Sequence, residues 1–191
     1  MRLPDDNKRK QILAAAAQMF ATQAYHKVRL DDVASAAGVG KGTLYVYFES
    51  KEELYFTITY ESFESLLAKL KEQLSADHSC AIHRLQTVVG GLVDFNFLHP
   101  EFFEVLRTVG PPKDNDKWDA QRNEFFNLIE QIIQSGVSSG ELRDAHPSLT
   151  ARFIPGLVRS AMLFAQKNLD ASVLKQQICT LLSTGLIAPQ K

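Results

Sequence analysis

The sequence predicts an all-α chain in two parts: an N-terminal three-helix helix-turn-helix head, residues 1–52, and a C-terminal helical bundle, residues 53–191. Three observations predict it. Apolar residues recur three and four apart along most of the chain, and no stretch reads as a strand. Helix-starting residues and Gly or Pro punctuation fall between these periodic runs. Two short apolar sets, Leu30-Val33-Ala34-Ala37 and Val39-Leu44-Tyr47-Phe48, meet at Gly38, a corner that a residue without Cβ turns cheaply.

Bulk composition narrows the class. Apolar residues make up 45% of the 191, enough for a real core and too many for disorder. Net charge is −1; the chain to Leu54 carries 8 Lys+Arg against 7 Asp+Glu, so any nucleic-acid binding must come from local placement of cations. Cys80 and Cys179 lack CxxC spacing and are expected as buried free thiols. The polar start MRLPDDNKRK has no apolar signal core, and no apolar run reaches the ~20 residues of a membrane span, so a soluble, cytoplasmic protein is expected.

In chain order, Asp5, Asp6 and Asn7 are N-cap candidates for a first helix to about Gln23, with Ile12, Ala16, Met19 and Phe20 as its buried stripe. Lys8, Arg9 and Lys10 sit in the first turn, where the helix dipole disfavours cations; neutralising phosphates would offset that cost. Leu30 to Phe48 then reads as two short helices. Lys41, Gly42, Thr43 and Tyr45 cannot all lie on the buried stripe of the second, so several face outward. Lysine, hydroxyl and phenol groups grip phosphates and base edges, which suits a helix lying in a DNA major groove. The same glycines do not form a phosphate loop: position 35 is Ser35, and Gly42 follows the lysine where Ser or Thr is needed.

The run AAGVGKGTLYVYFESKEEL resembles the signature of the tetracycline-repressor (TetR) family of bacterial one-component transcription regulators, densely from about Ile12 to Leu54. The resemblance implies that Lys41, Gly42, Thr43, Tyr45 and Tyr47 face the groove or its edge, and that Lys51 touches a phosphate. The family commonly has a threonine where Arg29 stands; Arg29 cannot cap helix 2 in that way, though its guanidinium can reach the same phosphate. The common cap serine of helix 3 is Gly40 here, a tolerable N-cap.

Ser50-Lys51-Glu52-Glu53 is a capping box opening a long helix with Leu54, Ile58, Leu66, Leu70 and Leu74 on one side. Ile82, Leu85, Val89 and Leu92 mark a helix to about His99, and Pro100 starts a short one from Glu101 to about Val109. A Gly-Pro-Pro loop at 110–112 is followed by helices from about Asp116 to Ser138, Pro147 to Asn168 (with a kink expected at Pro155) and Ala171 to Ile187.

Leu157, Val158, Ala161, Met162, Phe164 and Ala165 spread round more of their helix than one core contact requires. With the resemblance, they imply a homodimer through the last two helices. Clustered aromatics suit an apolar ligand cavity, with Phe95, Phe102, Phe103, Trp118 and Phe125 as walls and Asp94, His99 and Arg107 as candidate polar contacts; Phe97, Phe126 and Asn96 belong to the same stretch. Five histidines show no metal spacing, and no GxSxG elbow or nucleophile–base set appears, so neither metal, cofactor nor enzymatic activity is expected. The resemblance implies a ligand-responsive regulator, a repressor released from a palindromic double-stranded operator by a partly apolar or aromatic small molecule. The alternative is a helix-turn-helix DNA-binding adaptor controlled by a partner protein.

Overall fold

The computed structural model describes residues 5–100, 102, 116–164 and 169–187. Among these it contains eight α-helices: α1 (Asp6–Thr22), α2 (Leu30–Ala36), α3 (Lys41–Tyr47), α4 (Lys51–Ala76), α5 (Ala81–Leu98), α6 (Asp116–Ser139), α7 (Pro147–Phe164) and α8 (Ala171–Leu186), with a 3-10 turn at Tyr25–Lys27. They fall into two compact units. The first holds the residues through Ser62 together with Phe102; the second holds Phe63 to Pro100 and those from Asp116 on. The dividing point lies inside α4, beyond the 52/53 position read from the sequence.

The first unit is built on α1 to α3 and the start of α4. Asp5 caps α1, accepting from the Asn7 N–H at 2.9 Å. The core is Ile12, Ala16, Val33, Ala34, Leu44, Phe48 and Leu54, with Met19 and Phe20 packed against it. Helix α2 ends in a left-handed cap: the Val39 N–H reaches the Ala34 carbonyl at 3.0 Å and the Gly38 N–H reaches Ser35 at 3.1 Å. Gly38 takes φ +67°, which a side chain would strain. This corner sets the angle between α2 and α3. Arg29 precedes α2 without a side-chain cap, and Gly40 precedes α3 in the same way. At α4, Ser50 Oγ accepts from the Glu53 N–H at 3.0 Å, while Glu53 reaches back to the Glu49 N–H at 2.6 Å, one residue before the reciprocal partner of a standard capping box.

In the second unit α5 packs against α6, α7 and α8. Its sequence is apolar on several faces and Ala81, Leu85, Val88, Val89, Leu92, Val93 and Phe95 are buried, as a central helix requires. Helix α4 presses onto it at Gly91, where an added Cβ would stand 2.8 Å from a Leu66 methyl. Glu141 accepts from the Ala81 N–H at 2.6 Å, capping α5 from the turn after α6. Asp170 caps α8 as expected, accepting from the N–H groups of Ser172 and Val173 at 2.8 and 3.2 Å. Helix α7 continues through Pro155, which leaves the Ala151 carbonyl without its i+4 donor. Its last expected residues, Ala165 to Asn168, lie outside the described set, as do the expected helix from Glu101 and the loop at 110–112.

One expectation is corrected here. Cys80 and Cys179 are free, but Cys80 is exposed in the turn before α5 and Cys179 only half-buried. Cys80 occupies the cap position, outside the helical stripe that faces the core.

Candidate functional site

Helix α3 buries Leu44 and turns its other side out. Lys41, Gly42, Tyr45 and Val46 are exposed and Thr43 is half-exposed. Val46 is 71% exposed and was not singled out from the sequence. The signal was there: Val46 lies two residues from Leu44, so a helix that buries Leu44 must present it. An apolar side chain on an otherwise polar groove-sized face suits a thymine methyl. A Cβ at Gly42 would meet nothing within 4 Å, so the backbone there is open to close approach.

The expected cations divide into two kinds. Lys8 and Arg29 are exposed. Lys41 pairs with Asp31 at 2.9 Å, and the hydrogen bond it donates to that carboxylate raises the pKa of its ammonium and keeps it charged. Arg9 is tied inward: its guanidinium meets Glu61 at 3.2 Å and lies over the Phe48 ring at 5.8 Å. Lys51 is tied more firmly. Its Nζ donates to the carbonyls of Tyr25 and Val28 at 3.1 and 3.3 Å and stands 4.3 Å from the Tyr25 ring centre. Lys51 therefore clamps the α1–α2 connection onto the start of α4. The Tyr25 hydroxyl donates to Glu52 at 2.9 Å, and its ring stacks among Phe20 and Tyr55, completing the clamp. Tyr47 is also pinned: its hydroxyl accepts from the Asp5 N–H at 2.7 Å and donates to the Asp5 carbonyl at 3.1 Å. Tertiary partners far along the chain captured these three side chains, and no local pattern announces such partners.

The second unit holds a buried aromatic cluster. Phe63 packs edge-on against Phe95 and Phe125, each with ring centres 5.4 Å away, and against Trp118 at 5.5 Å. His99 lies against Phe95 at 5.0 Å. Burial holds the His99 imidazole to a pKa of about 4, so it is neutral at pH 7. Three polar atoms here have no hydrogen-bond partner: Asn96 Oδ1, His99 Nε2 and Gln121 Oε1. Phe63 and Gln121 were not singled out from the sequence. Gln121 was findable, since it falls three residues after Trp118 and four before Phe125, on one helical face.

Of the other expected ligand contacts, Asp94 is corrected. It is exposed and pairs with Lys175 at 2.6 Å, because it sits between Val93 and Phe95, a helical step off the buried face. Phe102 is buried in the first unit, against Phe56 with ring centres 6.5 Å apart. Phe103 and Arg107 lie outside the described residues. Phe97 and Phe126 are half-buried, and Arg152 lies over the Phe126 ring at 5.1 Å.

A third surface is apolar and open. Phe153 (62% exposed), Leu157, Leu181, Gly156 and Gly185 line a groove of about 540 Å³ between α7 and α8. Among the described residues no helix is long and apolar enough to cross a membrane, and no cluster of three or more His, Cys, Asp or Glu is placed to hold a metal ion.

Comparison with known proteins agrees with the two-part reading. Residues 12–58 match the family model of bacterial regulatory proteins of the tetR family, and residues 78–163 match a tetracyclin repressor-like C-terminal domain. The HTH-type transcriptional regulator YfiR of Bacillus subtilis is 27% identical over 197 residues, covering 97% of this chain and 95% of that protein. Two solved structures share the fold. FadR of Bacillus subtilis in complex with stearoyl-CoA superposes with a TM-score of 0.72 at 21% identity, over 93% of this chain and 98% of that one. A transcriptional regulator from Saccharomonospora viridis in complex with choline gives 0.76 at 20% identity, over 97% and 100%. With a head and a C-terminal domain that both match, this all-α chain belongs to the TetR family of DNA-binding transcription regulators, which are not enzymes.

Proposed function

We propose that this regulator acts as a homodimeric repressor on a palindromic operator and leaves the DNA when a small molecule binds in its second unit. The observation that carries the DNA half is the outward face of α3, where Lys41, Gly42, Tyr45 and Val46 stand together with a charge, an open backbone, a phenol and an apolar tip. Those four supply phosphate, close-approach and base-edge contacts. Thr43 borders them, and Lys8 and Arg29 are the flanking cations.

The dimer reading is supported by the α7–α8 groove. Exposed Phe153, Leu157, Leu181 and Phe164 make a large apolar surface for a monomer, and pairing with a second copy would bury it. A two-fold dimer presents two α3 helices, which is why a palindrome is expected. The ligand reading is supported by the unpartnered polar atoms in the aromatic cluster, and by relatives of the same fold that hold stearoyl-CoA or choline. The mechanism is a population shift, in which the effector binds a DNA-incompetent arrangement more tightly than the competent one. Helix α4 carries residues of both units and is the covalent route for the shift.

The test is selection of bound DNA from a random pool, followed by ligand titration with and without the selected site. A palindromic consensus is expected, and the operator must weaken ligand binding by the factor by which ligand weakens operator binding, about 5- to 150-fold. A ligand that releases DNA yet binds equally well with operator present would rule the mechanism out and point to direct competition at α3.

A further inference from the structure

We propose that the aromatic cluster of the second unit holds its effector by accepting hydrogen bonds from it, so that the effector is a mainly apolar molecule bearing a hydroxyl or N–H donor, not one anchored by a carboxylate. The proposal rests on the ligand-responsive reading above. Asn96 Nδ2 donates to the Leu92 carbonyl at 2.8 Å. A carbonyl only accepts, so that bond fixes the amide's orientation and makes the unpartnered Oδ1 an acceptor. Asn96 is 1% exposed, so bulk solvent does not reach it. Gln121 is 8% exposed and its Oε1 is also without a partner among the described residues.

These groups belong to one place. Asn96 lies in the last turn of α5 and His99 is the C-cap residue that follows it, and α5 packs directly on α6. Gln121 shares its face of α6 with Trp118 and Phe125, both against Phe63, whose ring also meets Phe95. His99 rests on that same Phe95. A buried acceptor left unmade weakens the fold, and native structures hold few of them. Several in one aromatic setting are accounted for by a molecule that completes them.

The chemistry of the set then selects the molecule. The Asn96 oxygen, fixed as an acceptor, repels a carboxylate, and neither the two amides nor the neutral His99 offers it a positive partner. A hydroxyl or an ammonium supplies the missing donors. Ring faces tolerate a cation, so a neutral and a charged donor remain as two sources of the same chemistry.

The experiment uses the full chain and four probes of one length: 1-octanol, octylammonium, octanoate and methyl octanoate. Binding is read by the fluorescence of Trp118, the single tryptophan, and DNA release by anisotropy of the selected operator. At least one donor probe is expected to bind tenfold or more tightly than octanoate and methyl octanoate, and which of the two does so tells neutral from charged. Asn96→Leu and Gln121→Leu should abolish that preference while raising the melting temperature, because each removes an unpartnered acceptor from the unliganded fold. A residue present only for structure would lower the melting temperature instead. Octanoate binding as well as the donors, or variants that melt lower with the preference intact, overturns the proposal. If octanoate lifts the protein from DNA and the donors do not, the ligand-responsive reading stands and the donor inference falls. If no probe moves Trp118 emission or releases DNA, both fall.

Discussion

Replacing Lys51 by methionine separates a clamp from a phosphate contact. Methionine keeps most of the apolar stem and removes the ammonium, which donates to the Tyr25 and Val28 carbonyls at 3.1 and 3.3 Å and sits 4.3 Å from the Tyr25 ring centre. A hydrogen bond from a charged donor contributes about 1.5–3 kcal/mol when fully buried. Lys51 is half-buried, and water can reach the carbonyls it leaves, so about 1 kcal/mol for each bond is the appropriate scale. The cation–π contact adds about 0.5–1 kcal/mol. The clamp should therefore contribute about 2–3 kcal/mol to the first unit. Urea unfolding followed by far-UV circular dichroism reads that loss, and Trp118 fluorescence, which reports the second unit, should change little. Operator affinity measured across salt supplies the second reading. Each true phosphate contact contributes roughly one unit to the log–log slope. A clamp leaves the slope of Lys51→Met equal to that of the unaltered protein, with weaker binding at every salt concentration. A slope lower by about one, with unfolding unchanged, would refute the reasoning and return Lys51 to the DNA backbone.

Further outcomes follow from the same geometry. Tyr45→Ala should weaken operator binding by about 1–3 kcal/mol with an intact fold, whereas Val46→Ala should cost about 1 kcal/mol and relax preference at one base position; base-by-base competition reads the difference. Leu157→Glu puts a charge on the α7–α8 groove, where desolvation costs several kcal/mol, so light scattering should report monomer; an undiminished dimer would place the interface elsewhere. His99 takes a proton at about pH 4 when folded and near 6.5 when unfolded, so the unfolded chain binds more protons between these values and stability falls as pH falls. The loss should approach about 3 kcal/mol at most by pH 4 and should be absent from the pH–stability curve of His99→Gln.

The head was legible from sequence because its determinants are local. Asp5 and Ser50 cap helices through atoms two or three residues away, and Gly38 turns its corner because of its own backbone. Helix period placed Leu44 inside and several of Lys41, Gly42, Thr43 and Tyr45 outside, and the family resemblance named Lys41 and Tyr45 among them. The unusual density of matching positions from Ile12 to Leu54 carried the family, and the matched model covers residues 12–58. Tertiary structure decided what depends on partners remote in the chain. Lys51 and Tyr25 are 26 residues apart, Tyr47 and Asp5 are 42 apart, and Arg9 and Glu61 are 52 apart. Lys51, Tyr47 and Arg9 each carried a plausible surface role in the sequence and found a partner distant in the chain once the helices packed. The same holds for the second unit. Periodicity marked Phe95, Trp118 and Phe125 as apolar, but only packing brought Phe63 between them and left Asn96 Oδ1, His99 Nε2 and Gln121 Oε1 buried without hydrogen-bond partners among the described residues. A helical period tells which side of a helix is buried; what lies across from it is set by the packing of other helices, and that is where the chemistry of a binding site is made.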